Sequence, residues 1–175
     1  MPTIELASCE AGSSILEITA ATGIFTPVEV ACVEELWNEY RHMGKASDYV
    51  FLVYREEGRI VGYACFGPHP LTSGAYDLYW IAVDPFAQHR GIGRALLARV
   101  ETEVKDRKGY LLLIETSSAP PYAAARHIYE SSGYRCEAII RDFYGRGDHL
   151  HIFVKDLEQT FQQGVLALDC VPVLA

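Results

Sequence analysis

Between Val83 and Gly93 the chain reads VDPFAQHRGIG: a proline turn, then Gln88, then Gly91 and Gly93 at the mouth of a helical stripe. Glycines in such a place let a ligand approach the backbone, because no Cβ stands in the way. The unpaired N–H groups of a helix's first turn, together with the positive end of its dipole, hold an anion well. Arg90 and Arg94 add positive charge at the same turn. Residues 88–109 carry six Lys or Arg against three Asp or Glu, whereas residues 1–75 carry four against ten. The formal net charge of −8 argues against a general nucleic-acid binder, whose surface must be basic. The local positive patch favours a small anionic ligand over a long polyanion.

Taken alone, the two glycines admit two other readings. One is a tight strand-to-helix connection with no ligand. The other is a dinucleotide site, with Glu115, 22 residues after Gly93, as the ribose-binding acid. Against the second, Leu96 stands where the fingerprint needs its third glycine, and seven residues separate Val83 from Gly91 where an immediate turn is needed. A Walker loop is excluded because no Gly-Lys-Ser/Thr follows the glycines.

Other residues offer chemistry of their own. Glu115 closes the apolar run LLLIE, where burial would raise a carboxyl pKa toward that of a general base; Asp77 is a second carboxylate on a strand. His149 and His151 share a strand face but lack a third ligand at sensible spacing, so no metal site is expected. Cys9, Cys32, Cys65, Cys136 and Cys170 show no CxxC spacing and are odd in number, which fits a reducing compartment better than a disulfide framework.

These residues need elements to position them. Ile4 and Leu6 alternate as a short strand, and Ile15, Leu16 and Ile18 behind Ser13 and Ser14 predict a first helix. Thr26, Pro27 and Glu29 mark an N-cap, a first-turn proline and a capping-box partner for a helix running to about His42, with Val30, Val33, Trp37 and Tyr40 on one stripe. Strands at Tyr49–Arg55 and Arg59–Phe66 form a hairpin, and residues 75–83 add a further strand of the meander. Ile92, Leu96, Val100 and Val104 recur every four residues, predicting a helix of about 17 residues that ends before Gly109. Residues 110–116 read as a central strand buried on both faces. YAAARHIYESSGY is a helix closed by Gly133, and two last strands surround a turn at Gly145–Asp148. The order β α α β β β α β α β β is mixed α/β, without repeats.

At 175 residues, 50% hydrophobic and 22% charged, one globular domain is expected. No apolar run is long enough for a membrane span, and the N-terminal MPTIELASCEAGSS has neither a basic n-region nor an apolar h-region. A cytoplasmic protein with no membrane partner is the expectation.

The whole string Val83, Asp84, Pro85, Gln88, Gly91 and Gly93 resembles the acetyl-CoA signature of the GCN5-related N-acetyltransferase (GNAT) superfamily, V-x-P-x-x-[QR]-x-x-G-x-[GA]. ARHIYESSGY is similar to the family's tyrosine helix, and the element order agrees from Thr3 to about Leu157. The resemblance implies a GNAT fold for residues 1–157: a mostly antiparallel sheet of six or seven strands, splayed in a V between the fourth and fifth, with four helices. It implies acetyl-CoA as co-substrate and an amine as acceptor. The amides of His89, Arg90, Gly91, Ile92, Gly93 and Arg94, with Gln88 in the signature, would hold the pyrophosphate, while Ile81, Ala82 and Val83 would pair with the pantetheine arm.

Amine acetylation requires a neutral nucleophile, an anion-stabilising site and a way to settle the departing thiolate. An alkylammonium has a pKa of about 10.4, so nearly every acceptor must first lose a proton. The resemblance puts the thioester carbonyl near the N–H of Val83, an oxyanion donor. It puts Tyr129 near the sulfur as acid, and makes Glu115 the base by likeness to the ribosomal-protein alanine acetyltransferase branch, with Asp77 the rival by likeness to the histone-modifying branch. A phenol of pKa about 10 is a weaker acid than a thiol of about 8.5, so hydrogen bonding to the thiolate describes Tyr129 better than full transfer. Tyr122 stands where the alanine acetyltransferase branch has an asparagine that touches CoA.

For the acceptor site, Trp37, Tyr40, Tyr76, Tyr79, Phe143 and Tyr144 supply aromatic walls, and Asp142 and Asp148 supply charge for a cationic amine. A small amine, an amino acid or a protein N-terminus all fit, and a catalytically silent acyl-CoA-binding regulatory module stays open as the alternative. Residues 158–175 are expected to pack on the domain or at a dimer interface, in a monomer or homodimer.

Overall fold

The computed structural model describes residues 1–158. Its elements run β1 (Thr3–Leu6), α1 (Gly12–Ala21), α2 (Pro27–Met43), β2 (Val50–Glu56), β3 (Arg59–Pro68), β4 (Ala75–Val83), α3 (Ile92–Asp106), β5 (Leu111–Ser117), α4 (Ala123–Ser131), β6 (Arg135–Gly145) and β7 (Asp148–Asp156). The strands make one sheet in the order β1-β2-β3-β4-β5-β7-β6. Every neighbouring pair is antiparallel except β4 and β5. Among the described residues, no helix is long and apolar enough to cross a membrane. The extension expected from residue 158 lies, apart from Glu158, outside the described residues.

Strand alternation divides the core in two. On one face Leu52, Ala64, Phe66, Leu78, Leu112 and Ile114 meet the α3 stripe of Ile92, Leu96, Val100 and Val104. On the other, Phe51, Val53, Tyr63 and Cys65 meet Ile15 and Ile18 of α1 and Val33 and Trp37 of α2. The second cluster stops at β4, with no residue of β5, β6 or β7 fully buried in it. This corrects the expectation for β5: Leu112 and Ile114 are buried, but Leu111 and Leu113 are only half-buried, because α1 and α2 do not reach over them. Every residue of the edge strand β6 is exposed, since neither core cluster extends to it on either face.

The capping box forms as expected. Thr26 accepts from the Glu29 N–H at 3.3 Å, and Glu29 Oε2 accepts from the Thr26 N–H at 2.7 Å. α1, by contrast, starts at Gly12, ahead of Ser13 and Ser14, and has no side-chain cap. Packing sets its start: a Cβ on Gly12 would lie 2.3 Å from Nε1 of Trp37, whose ring is itself wedged edge-on against Phe51 at 5.3 Å.

Gly12→Ala therefore sets two effects against each other. Helix propensity alone would stabilise by up to about 1 kcal/mol. Overpacking a ring that has no room to retreat costs about 1–3 kcal/mol. Net destabilisation is expected in urea unfolding at constant m value; a gain in stability would mean that α1 does not set the position of Trp37.

Candidate active site

β4 and β5 are hydrogen bonded over four residue pairs only, from Ala75↔Leu111 to Leu78↔Ile114. Beyond these, β4 stays with β3 as far as Val83, and β5 stays with β7 as far as Ser117. The two strands thus open a wedge, the V expected between the fourth and fifth. The register between β3 and β4 slips at its start, since Cys65 faces Trp80 and Phe66 faces Leu78, leaving Tyr79 as the extra residue of a bulge. Bulges bend a strand and increase its twist, so the bend falls on the first residue beyond the β4–β5 pairing.

The ladder also determines which way the free peptide groups point. The Asp84 N–H donates to the Val61 carbonyl at 2.9 Å. With Gly62↔Val83, Tyr63↔Ala82 and Ala64↔Ile81 in register, antiparallel alternation turns the N–H and C=O groups of Ile81 and Val83 away from β3 and into the wedge. The Val83 carbonyl on that side accepts from Gln88 Nε2 at 3.2 Å, so Gln88 ties the phosphate-side loop to the strand end.

α3 begins at the far end of the wedge. Its N-cap, Gly91, has φ 81°, and His89 has φ 59°; these left-handed residues fold the loop back over the helix N-terminus. Successive amides in such a loop form an anion-binding concavity. A Cβ on Gly93 would sit 3.5 Å from Ile128 Cδ1 and 3.9 Å from Val83 Cγ2, so a methyl fits and anything longer enters the cleft.

The resulting cleft encloses about 1190 Å³ and is walled by β4, the α3 loop, β5, α4, the α1–α2 loop and the β6–β7 turn. Of the expected residues, Ile81, Ala82, Val83, Gln88, His89, Gly91, Ile92, Gly93, Arg94, Glu115, Tyr122 and Tyr129 line it. Arg90 does not: its guanidinium pairs with Glu56 at 2.6 Å, behind the loop. Arg94 reaches across to α4, donating to Ser131 Oγ at 2.8 Å.

Two carboxylate expectations are corrected. Asp77 lies on the stretch of β4 still paired with β5, opposite Leu113, and its Oδ2 is 2.7 Å from His69 Nδ1; it does not face the cleft. Glu115 does face the cleft but is exposed, so the burial expected of it is missing. Among the aromatics, Tyr79 and Tyr144 line the cleft, whereas Trp37 is core, Tyr40 donates to the Ala7 carbonyl, and Tyr76, Phe143 and Asp142 stand outside. His149 Nδ1 accepts from the Asp142 N–H at 3.0 Å, and His151 lies beside Cys136.

Tyr129 is 5% exposed, its ring held between Tyr134 and Phe153 at 6.2 and 5.7 Å. Burial pushes its phenol above the ordinary tyrosine range, and among the described residues its hydroxyl has no hydrogen-bond partner. Three further features escape a reading of motifs. Phe25 and Trp80 pair edge-on at 5.2 Å on the cleft wall. Thr116 and Ser117 are buried in it. Asp148 accepts from Ser117 Oγ and from Ser118 Oγ, at 3.3 Å for the latter, and the Ser117 bond above all holds its carboxyl below the usual range. The serines before Pro120 and Pro121 were the only local sign of this knot.

Residues 47–136, just over half of the chain, match the acetyltransferase (GNAT) domain family. The [ribosomal protein bS18]-alanine N-acetyltransferase of Salmonella typhimurium is 32% identical over 112 residues, 62% of this chain and 70% of that protein. The Escherichia coli enzyme of the same name is 39% identical over 71 residues, 41% of this chain and 47% of that one. A GNAT-family structure from Desulfovibrio desulfuricans superposes with a TM-score of 0.86 at 39% identity, covering 90% of this chain and 99% of its own. An acetyltransferase structure from Salmonella typhimurium, determined with acetyl-CoA, has the same fold at a TM-score of 0.73 and 22% identity, over 94% of this chain and 98% of its own. The chain belongs to the GNAT family of acetyltransferases. It is an N-acetyltransferase.

Gly93→Glu is expected to weaken acetyl-CoA binding by at least about a hundredfold, since it fills the cleft between Val83 and Ile128 and places a carboxylate where an anion should sit. Calorimetric titration, with circular dichroism to confirm the fold, checks this; a folded variant that binds normally would move the site elsewhere.

Proposed function

We propose that the enzyme moves the acetyl group directly from acetyl-CoA to a primary amine in a ternary complex. The observation that carries this reading is the edge of β4 at Ile81 and Val83, whose N–H groups are turned away from β3 into the cleft that Tyr129 also lines. An edge of free N–H and C=O groups takes an amide-bearing chain as a strand takes its neighbour, which suits the pantetheine arm. The α3 loop amides from His89 to Arg94 receive the pyrophosphate at the positive end of the helix.

In the reaction a C–N bond forms and the C–S bond breaks, with its electron pair leaving on sulfur. The N–H of Val83 donates to the thioester oxygen as negative charge develops there. Glu115, exposed in the cleft, takes the proton of the incoming ammonium through water, and solvent takes the second proton that the nitrogen sheds as the amide forms. Tyr129 donates a hydrogen bond to the departing thiolate. Burial makes this phenol a poorer acid than a free one, so the thiolate draws its own proton from solvent and Tyr129 lowers the barrier without ionising. The bS18-alanine relatives make an amine borne on a protein one candidate acceptor; small amines and amino acids are others.

Tyr129→Phe is expected to lower kcat by about 10- to 100-fold with little change in acetyl-CoA affinity. In the wild type no alkaline limb below about pH 10 belongs to this phenol, because burial moves its ionisation upward. Thiol-release kinetics against pH test both statements; an unchanged kcat would reduce Tyr129 to a packing role. Glu115→Gln should lower kcat by about 10- to 100-fold, and an unchanged kcat would remove Glu115 as base.

A further inference from the structure

Three carboxylates from three separate elements line the cleft: Glu29 on the first turn of α2, Glu115 on β5 and Asp148 at the start of β7. Among the described residues none of them has a Lys, Arg or His partner, although ten ion pairs form elsewhere. Glu29 is held by its capping box. Both hydrogen bonds from Thr26 go to Oε2, leaving Oε1 without a partner among the described residues. Asp148 is fixed in its charged form by Ser117 and Ser118.

Their fields overlap on two aromatic rings of the same wall. Burial first, and then Glu29, Tyr144 and Asp148, raise the Tyr122 phenol; burial first, and then Glu115, Asp148 and Glu29, raise that of Tyr144. The basic lining residue Arg94 lies with the α3 loop, bound to Ser131. In the same cavity the Tyr129 phenol, 95% buried and unpartnered among the described residues, marks where a reacting group must come.

A single reacting ammonium does not explain three carboxylates that have no cationic partner among the described residues. It must shed its proton before it attacks, and in the reactive complex it carries no charge. Carboxylates answered only by that group would hold it in its unreactive form. A positive charge that stays positive during the reaction resolves the conflict. Resting on the transferase reading above, we infer that the acceptor carries a second, non-reacting cation beside the amine it offers. Glu29 and Asp148 hold that cation, Tyr122 and Tyr144 wall it, and Glu115 is left for proton removal. The shared chemistry is a dication, supplied either by a small diamine or by a peptide N-terminus followed by a basic side chain.

The test first titrates CoA into the full chain, then titrates 1,4-diaminobutane and n-butylamine into the CoA-saturated protein. kcat/KM is measured for both amines with acetyl-CoA, and for the N-terminal amines of Ala-Arg-amide and Ala-Gln-amide. A preference of at least about tenfold is expected for the dication in one of the two pairs, shrinking with added salt. It should fall toward parity in Glu29→Gln, which keeps the capping box because glutamine serves as well there. Preference within the amine pair assigns the second charge to a small polyamine, and preference within the peptide pair assigns it to a side chain. CoA binding with parity in both pairs overturns this inference alone. Absence of CoA binding overturns the transferase reading and this inference together.

Discussion

Only four residue pairs join β4 to β5, and everything the site does depends on that pairing stopping where it does. Were it to continue, the peptide groups of Ile81 and Val83 would be spent on the neighbouring strand. One local cause stops it. The bulge at Tyr79 bends β4 just past Leu78, while β5 keeps to β7 on its other edge as far as Ser117, so the two strands part. Gln88 then occupies the last carbonyl of β4, so the strand end is finished by a side chain while its amides stay free. An unpaired strand edge is a liability in most sheets. Here it sits at the base of a wedge, open to a ligand and shielded from another chain.

The cleft is electrically polarised along its length. At one end the α3 amides, the helix dipole and Arg94 favour an anion. At the other, Glu29, Glu115 and Asp148 favour a cation. The local charge asymmetry of the sequence is the one-dimensional shadow of this arrangement. Arg90 shows how loosely the shadow follows the object, because its charge is cancelled by Glu56 behind the loop.

Much of the fold was legible because its signals are local. The α3 stripe, the capping box at Thr26 and Glu29, the β2–β3 hairpin and the αL glycine at Gly133 each lie within a few residues, and all appear where the pattern puts them. The glycine turn and Tyr129 were legible for the same reason, being contiguous strings. What escaped depends on distant partners. Whether Glu115 is buried depends on how far α1 and α2 extend over the sheet, and they stop at β4. Asp77 and Asp148 both read as site carboxylates in sequence, and only Asp148 lies in the cleft. One falls on the paired half of β4 with His69, the other on the cleft rim with two serines from a loop some thirty residues away. Trp37 and Tyr40 read as binding aromatics only until α1 is seen packed on them.

The placement of Tyr129 is secured from behind. Tyr134, against which its ring rests, donates to Glu101 at 3.1 Å, and Glu101 takes Lys155 in a two-pronged contact at 2.8 and 2.9 Å. Lys155 also donates to the Ser132 carbonyl at 2.9 Å and lies over the Tyr134 ring. α3, β7 and the turn after α4 are thereby clamped at one point, with charges that are largely shielded from solvent. In the role proposed for it, this phenol must meet the sulfur at a fixed place, and a rigid surround keeps the donor aimed there without reorganisation. The ion-pair knot far from the cleft and the lone phenol within it are in this sense parts of one device.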